Sequence, residues 1–87
     1  MEKRIYYGIV HKDKDSDYGV SFPDFPGCVT AGVDMEESIR MADEALNGHV
    51  SAMIEDGDPI PDPSKSDDIA LIHNGLALIP EIGRAHV

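Results

Sequence analysis

The stretch Tyr18-Gly19-Val20-Ser21-Phe22-Pro23-Asp24-Phe25-Pro26-Gly27-Cys28-Val29-Thr30-Ala31-Gly32-Val33-Asp34-Met35-Glu36-Glu37 changes its periodicity twice. Tyr18, Val20 and Phe22 alternate with Gly19 and Ser21, the period of a half-buried strand with those three side chains on one face. Pro23 and Pro26 lack backbone donors and cannot continue a central strand, so residues 23–27 read as a break. Residues 28–33 supply another short β-forming run. Asp34 then stands three residues ahead of Glu37, the spacing of a capping box that opens a helix.

Working forward, apolar residues recur at Met35, Ile39, Ala42, Ala45, Leu46, Val50, Met53 and Ile54. This is helical spacing with one buried stripe. Gly57 fits the C′ position and Pro59 prevents any continuation. Gly48 lies mid-helix, where glycine costs about 1 kcal/mol relative to alanine, and reads as a point of close packing. Residues 58–64 contain Pro59, Pro61 and Pro63 and read as an extended linker. Residues 66–73 read as a short helix capped by Ser66, with a strand as the alternative. Asn74-Gly75 is a turn, and residues 76–80 read as a last strand.

Working backward, residues 5–10 form an apolar and aromatic run that reads as a buried strand, extending to Lys12. Residues 12–17 are polar and turn-rich, so the first two strands make an antiparallel hairpin. The expected fold class is α+β. A small antiparallel-containing sheet, three N-terminal strands plus one C-terminal strand, packs on one long helix.

Eighty-seven residues make one domain. Seven Lys and Arg against 17 Asp and Glu give a net charge of −10, which argues against a direct grip on nucleic acid. Residues 15–63 hold twelve acids and one base, Arg40, a net −11, whereas four of the seven basic residues lie in the first fourteen. Such a surface serves solubility or complements a basic partner. A domain this small is marginal alone, and the exposed edges of so small a sheet favour a homo-oligomer. No run approaches a membrane span, no signal peptide opens the chain, and the single cysteine, Cys28, excludes an internal disulfide. A cytoplasmic location is the simplest expectation.

The pattern offers little catalytic chemistry. His11, His49, His73 and His86 form no metal-binding pair, and neither a metal nor a cofactor is expected. Cys28 reads as a small buried hydrophobe, since no motif places a base beside it. No serine has a Gly-x-Ser-x-Gly context, and no glycine loop suits a phosphate. Asp13, Asp15 and Asp17 alternate like the start of a calcium loop. Tyr18 stands where that loop requires glycine, and Asp24 stands where it requires glutamate. A two-metal nuclease needs carboxylates on strands, and residues 5–10 carry none.

Residues 81–87 show neither helical nor strand logic. They match the translation of a common short-read sequencing adapter whose next codon is a stop. The expected organisation is therefore a domain over residues 1–80 followed by a non-native tail over 81–87. The natural protein is expected to continue beyond Pro80.

The runs Tyr6-Tyr7-Gly8-Ile9-Val10-His11 and Asp17 through Gly32, the helix from Asp34 to Asp56 and the linker from Gly57 to Ser64 together resemble the N-terminal domain of HicB antitoxins. The resemblance spans residues 3–80. It implies a partial RNase H-like fold without nuclease activity. It also implies a partner, a HicA-like toxin: a small basic protein that cuts mRNA, whose active-site histidine and RNA surface the antitoxin covers. The family usually adds a C-terminal DNA-binding domain, ribbon-helix-helix or helix-turn-helix. This sequence carries the pattern of neither, so any DNA contact would come through a missing domain. Some members are short single domains.

Asp17, Tyr18, Asp24 and Phe25 surround a turn more polar than folding requires, and are the expected toxin contacts. The alternative is that Tyr18 and Phe25 only pack while Pro26-Gly27 shape the turn. Two other readings stand beside the antitoxin: a stand-alone homo-oligomeric regulatory domain without a toxin, and a metal-dependent nuclease.

Overall fold

The computed structural model describes residues 2–72 and 77–85. Its elements follow the order β1 (Glu2–Lys12), β2 (Tyr18–Ser21), β3 (Val29–Gly32), α1 (Met35–Asp56), α2 (Ser66–Ile72) and β4 (Ala77–Ala85). The four strands form one sheet in the order β3-β2-β1-β4, and every neighbouring pair is antiparallel.

Alternation along β1 divides the sheet into two faces. Tyr6 and Val10 join Val20, Phe22, Phe25, Cys28 and Ile79 against Ala42, Leu46 and Val50 of α1, forming the principal core. Tyr18, Val20 and Phe22 do share a face, as their alternation requires. Ile5 points the other way and is exposed. Ile9, on that second face, is nevertheless buried, as is Ile69 of α2, and neither belongs to the principal core.

The ends of α1 follow local chemistry. Asp34 is extended and its carboxylate accepts from the Glu37 N–H at 2.8 Å. The reciprocal arm reaches one residue further back than in a standard capping box: Val33 N–H donates to Glu37 Oε1 at 3.0 Å. At the other end Gly57 has φ 76°, and Asp58 N–H donates to Met53 O, closing a Schellman-type turn. Gly32 has no room for a side chain, because a Cβ there would collide with the backbone of Glu37 and Ser38 at the start of α1.

Several expectations need correction. The buried helical positions are Ser38, Ala42, Leu46 and Val50, a four-residue rhythm, while Ile39 and Ile54 are exposed. Ser38 tolerates burial because its hydroxyl donates to Met35 O at 2.7 Å. Gly48 is not a point of close packing: a Cβ there meets nothing within 4 Å. β1 begins earlier than expected, at Glu2.

Residues 81–85, expected to have no regular structure, continue β4 and pair with β1 from Glu2↔Ala85 to Tyr6↔Glu81. A backbone ladder is made by N–H and C=O groups and so tolerates side chains with no strand pattern. The side chains still register the mismatch. Glu81 faces α1, is only 6% exposed, and leaves Oε1 without a hydrogen-bond partner. The Asn74-Gly75 turn, Leu76, His73 and His86 lie outside the described residues.

Candidate functional site

The four singled-out residues lie at opposite ends of β2. Asp17 precedes that strand and is exposed; Tyr18 opens it and is half-buried. Lys12 closes the adjoining loop by donating to Asp13 O at 2.8 Å and Ser16 O at 2.6 Å. Its Nζ also stands 5.5 Å from the Tyr18 ring centroid, a cation–π contact at an exposed site. The Asp13–Asp17 loop is thus a hairpin turn closed by Lys12 through the Asp13 and Ser16 carbonyls.

Asp24 and Phe25 lie beyond the other end of β2, in the turn between Phe22 and Cys28. Phe25 N–H donates to Phe22 O and Cys28 N–H to Phe25 O, so the proline-rich break is a tight, self-bonded turn. It directs Phe25 inward to 1% exposure, between Tyr6, with ring centroids 4.7 Å apart, and His49, 5.7 Å away. Both are edge-on contacts of the kind aromatic pairs favour. Asp24 points to the linker after α1 and accepts from Ser64. The structure therefore keeps Asp17 and Tyr18 together and separates them from Asp24 and Phe25.

The linker is the part that sequence reasoning missed. Tyr6 Oη donates to Pro61 O at 2.6 Å, Arg4 meets both Pro61 O and the Asp62 carboxylate, and Ile60 packs against the core. Its prolines signalled an extended chain but not what it would touch. The exposed acids form the other feature. Asp13, Asp15 and Asp17 in the hairpin loop, Glu36, Glu44, Glu55 and Asp56 on α1, and Asp58 and Asp62 after it all face solvent.

Among the described residues, no three His, Cys, Asp or Glu side chains gather as a metal site would require. Cys28 is buried, and that burial raises its thiol pKa. Burial, and then nearby Asp43, push the Glu81 carboxyl up to about 7. No described helix is long and apolar enough to cross a membrane.

Residues 6–74 match the model of the HicB-like antitoxins of bacterial toxin–antitoxin systems. The chain belongs to that family. It is 34% identical over 64 residues to antitoxin HicB 2 of Photorhabdus laumondii, covering 74% of this chain and 46% of that protein. The fold matches the crystal structure of the N-terminal domain of the Burkholderia pseudomallei antitoxin HicB with a TM-score of 0.74 and 27% identity, over 95% of this chain and 99% of that domain. It also matches a chain of a toxin–antitoxin complex from Streptococcus pneumoniae with a TM-score of 0.72 and 29% identity, over 82% of this chain and 51% of that one. The chain spans less than half the length of the curated relatives it matches. Against these HicB-family relatives, the α+β class read from the sequence stands: a four-stranded antiparallel sheet carrying one long helix.

Proposed function

We propose that this domain is the toxin-neutralising part of a HicB-like antitoxin. It binds a HicA-like, basic, mRNA-cleaving toxin in the cytoplasm and masks the toxin's active site. The domain itself is not an enzyme. The observation that carries this reading is the family match over residues 6–74 together with the exposed acids on both the hairpin loop and α1. An acidic surface attracts a basic partner from solution and covers the cationic groups that partner uses on RNA.

The proposed contact includes Asp17, Tyr18, Asp24 and Phe25 in unequal roles. Asp17 and Tyr18 present charge and ring at the surface. Asp24 and Phe25 hold the turn at the far end of β2, one through Ser64 and the other through the core. Residues 1–80 are the domain that does this, and DNA contact belongs to a C-terminal segment outside this chain.

Co-expression tests the reading. The reading requires a small basic reading frame beside the gene for this chain; its product should arrest growth alone, and co-expression with this chain should restore growth and yield a stable complex. Full arrest despite soluble, folded domain would overturn it.

A further inference from the structure

Both oxygens of the Asp24 carboxylate are held by one residue. Oδ2 accepts the Ser64 N–H at 2.8 Å and Oδ1 accepts the Ser64 hydroxyl at 2.5 Å. Both donors are neutral, and no basic side chain among the described residues pairs with Asp24. A guanidinium meets a carboxylate in the same way, with one N–H to each oxygen, and it adds charge to both bonds. Ser64 thus fills, with neutral donors, the two positions that an arginine fork would take.

The linker has separate anchors on either side of this contact. Upstream, Ile60 packs against the core, Tyr6 Oη donates to Pro61 O at 2.6 Å, and Arg4 meets Pro61 O and the Asp62 carboxylate. Downstream, Lys65 O accepts the N–H groups of Asp68 and Ile69, which opens α2. Pro63 and Lys65 are exposed, while Asp24 and Ser64 are each half-buried at the surface. Ser64 can therefore leave Asp24 with the Pro61 anchor and the start of α2 both intact.

Two sets of donors for the same two oxygens exclude each other. We propose that Ser64 is an intramolecular competitor for Asp24. In the free chain the linker latches onto the carboxylate, and an arginine of the toxin takes it by displacing Ser64. This rests on the antitoxin reading above, in which Asp24 belongs to the toxin contact. The latch keeps a half-buried charge hydrogen-bonded until the partner arrives. It also makes toxin binding and linker release reciprocal. Whatever holds Ser64 on Asp24 weakens the toxin by the same factor with which the toxin loosens the linker.

The test uses the whole chain and the product of the small basic reading frame expected beside its gene. Ser64→Ala removes the hydroxyl and keeps the N–H; Ser64→Pro removes both donors from a run that already holds three prolines. Ser64→Ala should bind the toxin roughly tenfold tighter, and Ser64→Pro tighter still. In an Asp24→Asn background, where the charge is gone, neither substitution should change affinity. Amide hydrogen exchange should show the Ser64 N–H protected in the free chain and less protected in the complex. Should the variants fail to fold, this exchange measurement on the unaltered chain decides the matter. Toxin binding that is unchanged or weakened by both substitutions, or a Ser64 amide that stays protected in the complex, would overturn the latch and leave the antitoxin reading standing. No binding by any folded variant would overturn that reading and the latch with it.

Discussion

Asp24 holds Ser64 across 40 residues of chain, accepting from its backbone N–H at 2.8 Å and from its hydroxyl at 2.5 Å. The first residue belongs to the turn between β2 and β3, the second to the linker that follows α1. With the Tyr6–Pro61 hydrogen bond, this contact straps the C-terminal segment to the N-terminal sheet. Asp24 thus has a structural task that its place in a polar turn did not announce.

Asp24→Ala should accordingly destabilise the domain by about 1.5–3 kcal/mol, the range for a hydrogen bond to a charged acceptor. Asp17→Lys, at an exposed position, should change stability by no more than about 0.5 kcal/mol. Chemical denaturation of the two variants side by side checks the contrast.

Gly48→Ala should stabilise the domain by about 0.5–1 kcal/mol. The site is mid-helix, exposed and unobstructed, so only the conformational cost of glycine is removed. Thermal unfolding would show a higher midpoint.

Gly32→Ala should act in the opposite direction. Its methyl group would press on backbone at the start of α1, which cannot rotate away as a side chain could. A loss of about 2 kcal/mol or more, or failure to fold, is expected from overpacking of this kind. Expression and denaturation measurements check it.

Stability should also fall as pH rises. Glu81 titrates near 7 in the folded chain against 4.5 for a free carboxyl, so the folded state binds its proton more tightly. That contribution is complete below about pH 4.5 and is lost as pH climbs through 7, a difference on the order of 3 kcal/mol. Glu81→Gln should flatten this part of the pH profile. A profile unchanged by the substitution would mean that Glu81 is not its source.

Much of this architecture was legible from local signals. The alternation of Tyr18, Val20 and Phe22, the Asp34 cap and the Gly57 stop each depend on neighbours within a few residues, and each appears where its chemistry requires. Contacts set by distant chain were not legible. Nothing near Asp24 indicates Ser64, and nothing near Gly48 shows whether a neighbour lies over it. Glu81 extends a strand because β1 offers it a free backbone edge, a condition that residues 81–85 do not encode. Among the site residues, Phe25 illustrates the ambiguity best: an aromatic in a Pro-Asp-Phe-Pro turn suits either contact or core, and only the turn's own hydrogen bonds direct it inward.

The most direct test of the central claim is calorimetric titration of this domain into its proposed partner, the product of the small basic reading frame expected beside its gene, alongside an RNA-cleavage assay. The account predicts binding that weakens as salt rises, suppression of cleavage at matching stoichiometry, and a clear loss of affinity in Asp17→Lys with an unchanged melting curve. Absence of binding by folded domain, or binding that leaves cleavage intact, would contradict it.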